Sequence, residues 1–525
     1  MTRKGVEYMK ELSGRVTLYA NYSEKELLKG TREEQGQKIL GILKDDTFQS
    51  LHEYNAKETR YLIDYMYGDQ DIKFKTKKTR TDINNTGVEN WAYAFVDWKK
   101  TFLLGKPVQY APVNDASNNE IIELNNYMAY EDKNVLDMDL WEDVLACGRA
   151  FRYTNSTKIT EEDEAPFELV NLDPWKCEVV YSSGINKEQL CSCIETKMVE
   201  FVEVYNEIEK VMEKQERSYS EWTVYTRNSC FIIDNKGGEW KVTKISPLIL
   251  NEHIVTEYYL NKRRIGIIEL GKDIFDNINY VENLDLDDIE QFVNSIMVFT
   301  NASVDKEGMD SIKEYGAVSI RSTEQKKASV EILQSRLKSL DTQIFYLRKI
   351  SALHQILSVP QASASGEISN AETGKAVLTG QGFTSASVRV AGEDMAFKSG
   401  DKQALKTILK ICKRNPKSNV KNLKVSDIEI KLTKDLTDNL LTKTQALINL
   451  QTANIPPEVR NQIVNLFSDP VNVTKLQENY EKEKQKIQEQ INQMNKTKGS
   501  NNNESKVNEQ NNKIQDTLEN DKQEQ

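Results

Sequence analysis

The 525-residue chain has no apolar run near the ~20 residues that a membrane span needs. Its start, Met1-Thr2-Arg3-Lys4-Gly5, leads into no apolar segment, so no secretory signal is expected and the chain should stay in the cytoplasm of the cell that makes it. Histidine is scarce: His52, His253 and His354 are scattered and form no nucleophile–base constellation. The six cysteines lack C-x-x-C spacing, which argues against a zinc or redox site. Cys191 and Cys193 form a C-x-C whose members share one face of a strand, and buried free thiols are expected. A basic surplus is also missing. Seventy Lys and Arg against 81 Asp and Glu give a net charge of -11, so a tight grip on phosphates over the whole surface is excluded.

Catalytic motifs fail on inspection. Glu372-Thr373-Gly374-Lys375-Ala376 contains a Gly-Lys, but a phosphate-binding loop needs Gly at 369 and Ser or Thr at 376, where Ser369 and Ala376 stand. Asp285, Asp287, Asp288 and Glu290 form an acidic run that metal-dependent phosphoryl chemistry would use, although such a run more commonly marks a solvated helix face. No cofactor is expected.

What is present is helical patterning around a β-rich zone, an α+β chain that is mainly helical. Apolar spacing predicts helices between Glu24 and Tyr67, over Asn84–Leu104, and over Leu136–Ala150. The second of these stops at Gly105-Lys106-Pro107, and Val108 and Tyr110 begin an extended segment. From Phe167 to Thr256 short strands are expected, interrupted by a charged helix over Val199–Lys214. Helices are again expected over Lys272–Phe299, Ser329–Leu357 and Ala371–Lys413, with strands at Val318–Ile320 and Val425–Leu432. Thr442–Phe467 reads as helix broken at Pro456-Pro457. The segment from Asn495 onward, poor in apolar residues, is expected to be disordered.

Between the two long central helices lies a small polar loop, Ser358 to Asn370, containing Gln361, Ser363, Ser365, Glu367 and Asn370. A loop of Ser, Ala and Gly has little to pack with and suits weak contact with something that moves past. Basic residues gather modestly nearby: Lys306, Lys313, Arg321, Lys326, Lys327, Arg336, Lys338, Arg348 and Lys349. They read as a solubilising face, or as a ring of charge if cyclic symmetry repeats them around a polyanion.

The order of several segments resembles the bacteriophage portal protein family, in particular the siphophage portals of the Bacillus-phage type. The pieces are Asn84, Asn85, Asn90 and Asp97 on a helix entering Gly105-Lys106-Pro107-Val108-Gln109-Tyr110, and a helix from Asp139 ending in Gly148-Arg149-Ala150-Phe151. Others are Asn171-Leu172-Asp173-Pro174, a helix containing Asp288-Ile289-Glu290-Gln291-Phe292, and Ala371 to Leu378 with Gly374 and Ala376. The chain departs from the family pattern at Ile245-Ser246-Pro247-Leu248-Ile249-Leu250 and at Thr373.

The resemblance implies a homo-oligomeric ring of about twelve subunits at one capsid vertex of the virion, assembled in the host cytoplasm. It divides the chain into a wing (1–270), a first stem helix (271–299), a clip (300–328) and a second stem helix (329–357). These are followed by a tunnel loop (358–370), a long wing helix with a returning strand (371–435), a crown (436–493) and a tail (494–525). Double-stranded DNA would pass loosely along the channel. Terminase, scaffold, major capsid protein and head-completion proteins would be partners, and no membrane would be. Two other readings are a helical scaffold or adaptor that never meets DNA and a nucleic-acid-processing enzyme using the acids at 285–290.

Overall fold

The computed structural model describes residues 14–78, 81–113, 118–156, 165–206, 211–293, 296–300, 329–333, 339–361 and 383–433, with 449–450 and 482. The chain divides into two compact units, Met1–Asp435 and Leu436–Gln525. All the elements below belong to the first.

The N-terminal part is β1 (Leu18–Ala20), a short α1 (Glu24–Leu27), α2 (Arg32–Lys44) and α3 (Asp46–Met66). Each helix start has a local cause. Ser23 and Thr31 form capping boxes with Glu26 and Glu34, and the Asp45 carboxylate accepts the Thr47 N–H. α4 (Trp91–Leu104), β2 (Gln109–Pro112), α5 (Asn118–Tyr130) and α6 (Lys133–Cys147) follow. α6 stops because Gly148 takes φ 85. A Cβ there would meet the Arg264 carbonyl oxygen at 2.2 Å, so both the turn and the close approach require glycine.

The next strands are β3 (Arg149–Ser156), β4 (Phe167–Leu172), β5 (Cys177–Ser182), β6 (Gln189–Asn206), β7 (Val211–Tyr225), β8 (Ser229–Asp234), β9 (Lys241–Pro247) and β10 (Val255–Tyr259). They form a six-stranded sheet in the order β1-β5-β6-β7-β8-β9 and a three-stranded sheet in the order β10-β3-β4. α7 (Ile267–Val293), β11 (Ile296–Thr300), β12 (Ser329–Leu333), α8 (Ser339–Leu357), α9 (Phe383–Arg414) and β13 (Ile428–Lys431) complete the unit. β13 pairs with β2, so the chain after α9 returns to the edge beside α4.

One core joins α3, α4, α6, α7, α8 and α9 around Trp141, Phe95, Phe275, Leu353 and Phe397. A second lies between α2, α3 and the six-stranded sheet and contains Trp222, Phe231, Cys191 and Cys193. The two thiols are buried and free, with sulfurs 3.9 Å apart on one strand face, as expected.

Several expected elements are corrected. Val199–Asn206 and Val211–Lys214 are strand rather than helix; they belong to the long antiparallel pair β6–β7, in which Glu200 is opposite Arg217 and Glu203 opposite Lys214. The opposition of Glu200 to Arg217 across the two strands favours the ribbon. The helix expected from Asn84 starts only at Trp91. The helix expected over Lys272–Phe299 begins at Ile267, five residues early, and ends at Val293; Ile296–Thr300 is strand. Ser329–Leu333 is likewise strand rather than helix, paired with β11 from Thr300↔Ser329 to Ile296↔Leu333. α5 was not expected at all. Val318–Ile320, most of Thr442–Phe467 and the segment from Asn495 lie outside the described residues.

α3 is fixed to the six-stranded sheet by a buried ionic group. Arg149 grips Glu178 through two bonds, Nη1 to Oε2 at 2.6 Å and Nη2 to Oε1 at 2.7 Å. His52 on α3 lies between carboxylates, with Nε2 3.1 Å from Glu195 Oε2 and Nδ1 at an ion-pair distance of 3.6 Å from Glu178 Oε1. Burial works to lower the His52 pKa, but the two carboxylates outweigh it and hold it at about 9. Burial likewise opposes the Glu178 charge, and Arg149 with His52 brings that carboxyl down to about 2. His52 gains affinity for its proton on folding. Its contribution is therefore complete below the ordinary histidine pKa of 6.5 and disappears as pH rises through about 9. Urea unfolding of the wild type should lose up to ~3 kcal/mol between pH 6.5 and 9.5, and His52→Gln should flatten that slope.

Candidate channel segment and its mounting

The polar loop leaves α8 from a fixed root. α8 ends at Leu357, and Ser358 adopts φ 56, a left-handed turn that reverses the chain. Val359 then inserts its side chain into the main core, where it is 7% exposed, beside Leu357 and Leu353. The Val359 N–H donates to the His354 carbonyl at 3.1 Å, and His354 Nδ1 lies 3.0 Å from the Val359 carbonyl oxygen. The His354 ring packs edge-on against Phe95 and Trp91 of α4, with centroids 4.9 and 6.3 Å away. His354 thus holds the turn and is a packed residue of the loop root.

The first half of α9 contacts the same turn of α8. Arg389 on α9 donates from Nη1 to the Ile356 carbonyl at 3.0 Å, satisfying a terminal oxygen of α8. Val390 is fully buried in the core that holds Leu357 and Val359. Val359 on one side of 362–382 and Arg389 and Val390 on the other thus meet the end of α8. Gln361 is half-buried at its root; Ser363, Ser365, Glu367 and Asn370 lie outside the described residues.

α9 is locked to the rest of the unit by buried charge. Lys99 of α4 pairs with Glu393. Further along, Asp401 accepts from Lys133 of α6 at 3.0 Å and from the Tyr110 hydroxyl of β2 at 2.8 Å. Lys133 also reaches Asp137 at 2.6 Å, and Asp137 takes Arg152 of β3. Two acids and two bases thus neutralise each other in a site where none is more than 4% exposed. Burial and the Asp401 charge together push the Tyr110 hydroxyl well above its ordinary pKa, so it remains a donor.

α7 is held by a ladder of polar side chains. Asn279, Asn283 and Asp287, spaced four residues apart, are each at most 2% exposed. They accept the N–H groups of Glu89 at 2.8 Å, Gly87 at 2.6 Å and Asn85 at 2.7 Å. Alternate amides of an extended segment thus match successive turns of one helix face. This is why 84–90 is not helical: its amides bond outward to α7, and Asn90 caps α4 through its own side chain. Lys75 and Lys77 reach Asp287 at 2.8 and 2.5 Å. Burial would raise the Asp287 pKa, but the two lysines and the Asn85 amides hold it far below its usual range.

Of the acidic run considered for metal chemistry, Asp287 is thus committed to this clamp. No metal-binding group of His, Cys, Asp and Glu is present among the described residues. Asn283→Leu should lower stability by about 2–3 kcal/mol, because both the N–H and the carbonyl of Gly87 lose a buried partner; chemical denaturation measures it.

The same helices present apolar faces to solvent. On α7, Leu270, Tyr280, Leu286 and Ile289 are exposed; on α8, Ile344, Phe345, Leu347 and Ile356; on α9, Val388 at 70% and Met395 at 73%. Arg348 is exposed on α8, and Lys349 lies half-buried over the Phe345 ring at 5.1 Å. Lys306, Lys313, Arg321, Lys326, Lys327, Arg336 and Lys338 lie outside the described residues, so the expected basic ring is represented only by these two α8 residues. No helix among the described residues is long and apolar enough to cross a membrane.

Sequence reading missed the Ser358 turn, the 279–283–287 ladder and the Asp401 group. The ladder had a visible signal, Asn, Asn and Asp repeating every four residues along one face of α7. A family model described as phage portal protein, SPP1 Gp6-like, matches residues 45–497. No curated protein matches the chain.

Proposed function

The chain belongs to the SPP1 Gp6-like phage portal family, and from that we propose that copies of it close into a ring of about twelve at one capsid vertex. Double-stranded DNA enters and leaves through the axis of that ring. The observation that carries this reading is the family match over 45–497, which spans both central helices and the loop between them.

Two features of the fold support it. Val359 and Arg389, on either side of 362–382, both bond to the last turn of α8, a mounting that suits a loop placed against a moving duplex. Large apolar side chains stand exposed on α7, α8 and α9 of the isolated chain, which is what subunit contacts in a ring would cover. α7 and α8 serve as the stem and segment 301–328, closed at its neck by the β11–β12 pair, as the clip that meets terminase. The part before α7 and α9 form the wing, 436–493 the crown. Scaffold, coat and head-completion proteins dock on the outside. The chain acts as a conduit and anchor rather than an enzyme, and the duplex slides because an acidic protein with a small polar loop offers little grip.

Electron microscopy of the purified chain tests this. Closed rings with an axial hole wide enough for a duplex are expected; monomers at all concentrations, or filaments, would refute it.

A further inference from the structure

The C-terminal half of α9 carries a row of cations. Lys402, Lys406, Lys410, Lys413 and Arg414 fall within about a third of the helix circumference at 100° per residue. The buried face, with Asp401, Ala404, Leu405, Ile408 and Cys412, points the other way. Lys417 and Lys424 extend the patch beyond the helix. Lys402, Lys406, Lys413, Arg414, Lys417 and Lys424 are all exposed. Lys410 pairs with Glu252 at 2.5 Å, and Arg414 donates to the Ile249 carbonyl. Among the described residues no carboxylate forms an ion pair with Lys402, Lys406, Lys413, Lys417 or Lys424.

The nearby acids are engaged elsewhere. Glu120 accepts the N–H groups of Lys421, Asn422 and Leu423; Glu123 accepts from Asn419; Asp427 accepts the Lys424 N–H; Glu429 lies 3.7 Å from Lys431. The helix macrodipole favours cations in the last turn and accounts for Lys413 and Arg414, but not for Lys402, Lys406, Lys417 or Lys424.

We propose that this stripe is a second surface for duplex DNA, on the outside of the subunit and separate from the channel loop. Two observations favour a polyphosphate over an acidic protein. From residue 396 to 433 no large apolar side chain is exposed among the described residues, so the patch lacks the apolar anchor that carries most protein interfaces. The row is also straight and rigid. From Lys402 to Arg414 it runs ~18 Å, a length over which a duplex presents about ten phosphates. On a chain of net charge -11 such a patch holds DNA locally and reversibly. The inference shares with the portal reading only the identity of the nucleic acid.

Closed circular duplex tests it, because a circle cannot thread a closed ring and its binding reports the outer surface alone. Affinity of the purified full chain for the circle is measured against salt concentration for three proteins: wild type, Lys402→Gln/Lys406→Gln/Lys413→Gln, and the control Lys44→Gln/Lys57→Gln/Lys244→Gln. The first triple variant should bind ~10–100-fold more weakly at low salt and lower the salt slope by about 2–3, with the control within about twofold of wild type. A wild type that ignores the circle, equal losses in both triple variants, or tighter binding of polyglutamate than of DNA would overturn the proposal. A chain that packages DNA yet ignores circles would overturn this inference alone.

Discussion

Asp401→Ala should destabilise the Met1–Asp435 unit by about 3–5 kcal/mol, the largest effect expected from any single substitution here. The reason is electrostatic. Asp401 and Asp137 balance Lys133 and Arg152 in a dry site, and removing one carboxylate leaves Lys133 with a buried charge half-compensated and the Tyr110 hydroxyl without its acceptor. Asp401→Asn should cost less, because the amide oxygen still accepts from Lys133. Urea denaturation of the two variants distinguishes a charge effect from a packing effect. Since Asp401 connects α9 to α6 and β2, the loss should also show as faster amide exchange in α9 beyond residue 395. An Asp401→Ala chain within 1 kcal/mol of wild type would mean that the network does not hold α9.

Ser363→Lys/Ser365→Lys should leave ring assembly intact and lower the yield of packaged DNA at least ~tenfold. Each subunit would add two cations to the channel lining, and a ring of about twelve would multiply them into a closed band that releases counterions and grips phosphates. Ser363→Gln/Ser365→Gln, of similar bulk and no charge, should package nearly as well as wild type. Normal packaging by the lysine variant would place the loop away from the DNA path.

Where apolar spacing was strong, the elements were legible. α4 from Trp91, α6, the strands around Val179 and Phe231, and the return strand at Ile428 all follow from core-facing side chains at helical or alternating period. The misreadings share a cause: distant partners that no local pattern displays. Asn84–Asn90, rich in Asn, Thr and Gly of low helix propensity, is extended and gives its amides to α7. Glu200, Glu203 and Glu207 are spaced as on a helix face, and it is pairing with β7 that makes 199–206 a strand. At Ser329–Leu333 the strand exists only because Ile296–Thr300 pairs with it from the other side of 301–328.

For the candidate site, the end of α8 just before the expected polar loop was legible; 362–370 of that loop lie outside the described residues. Its root was not, because a left-handed Ser358 and a histidine packed between Trp91 and Phe95 leave no trace in periodicity. The order of segments carried the family assignment, which the match over 45–497 bears out.

The central claim, that the serine-alanine loop lines the axis of a ring through which DNA passes, is tested most directly by photo-cross-linking in stalled packaging particles. A benzophenone amino acid is placed at Ser365, and at the fully exposed Ile185 as a control. The account predicts DNA adducts from position 365 that appear only once packaging has begun, and none from position 185. Adducts absent at 365 while particles hold packaged DNA, or equal at the two positions, would contradict it.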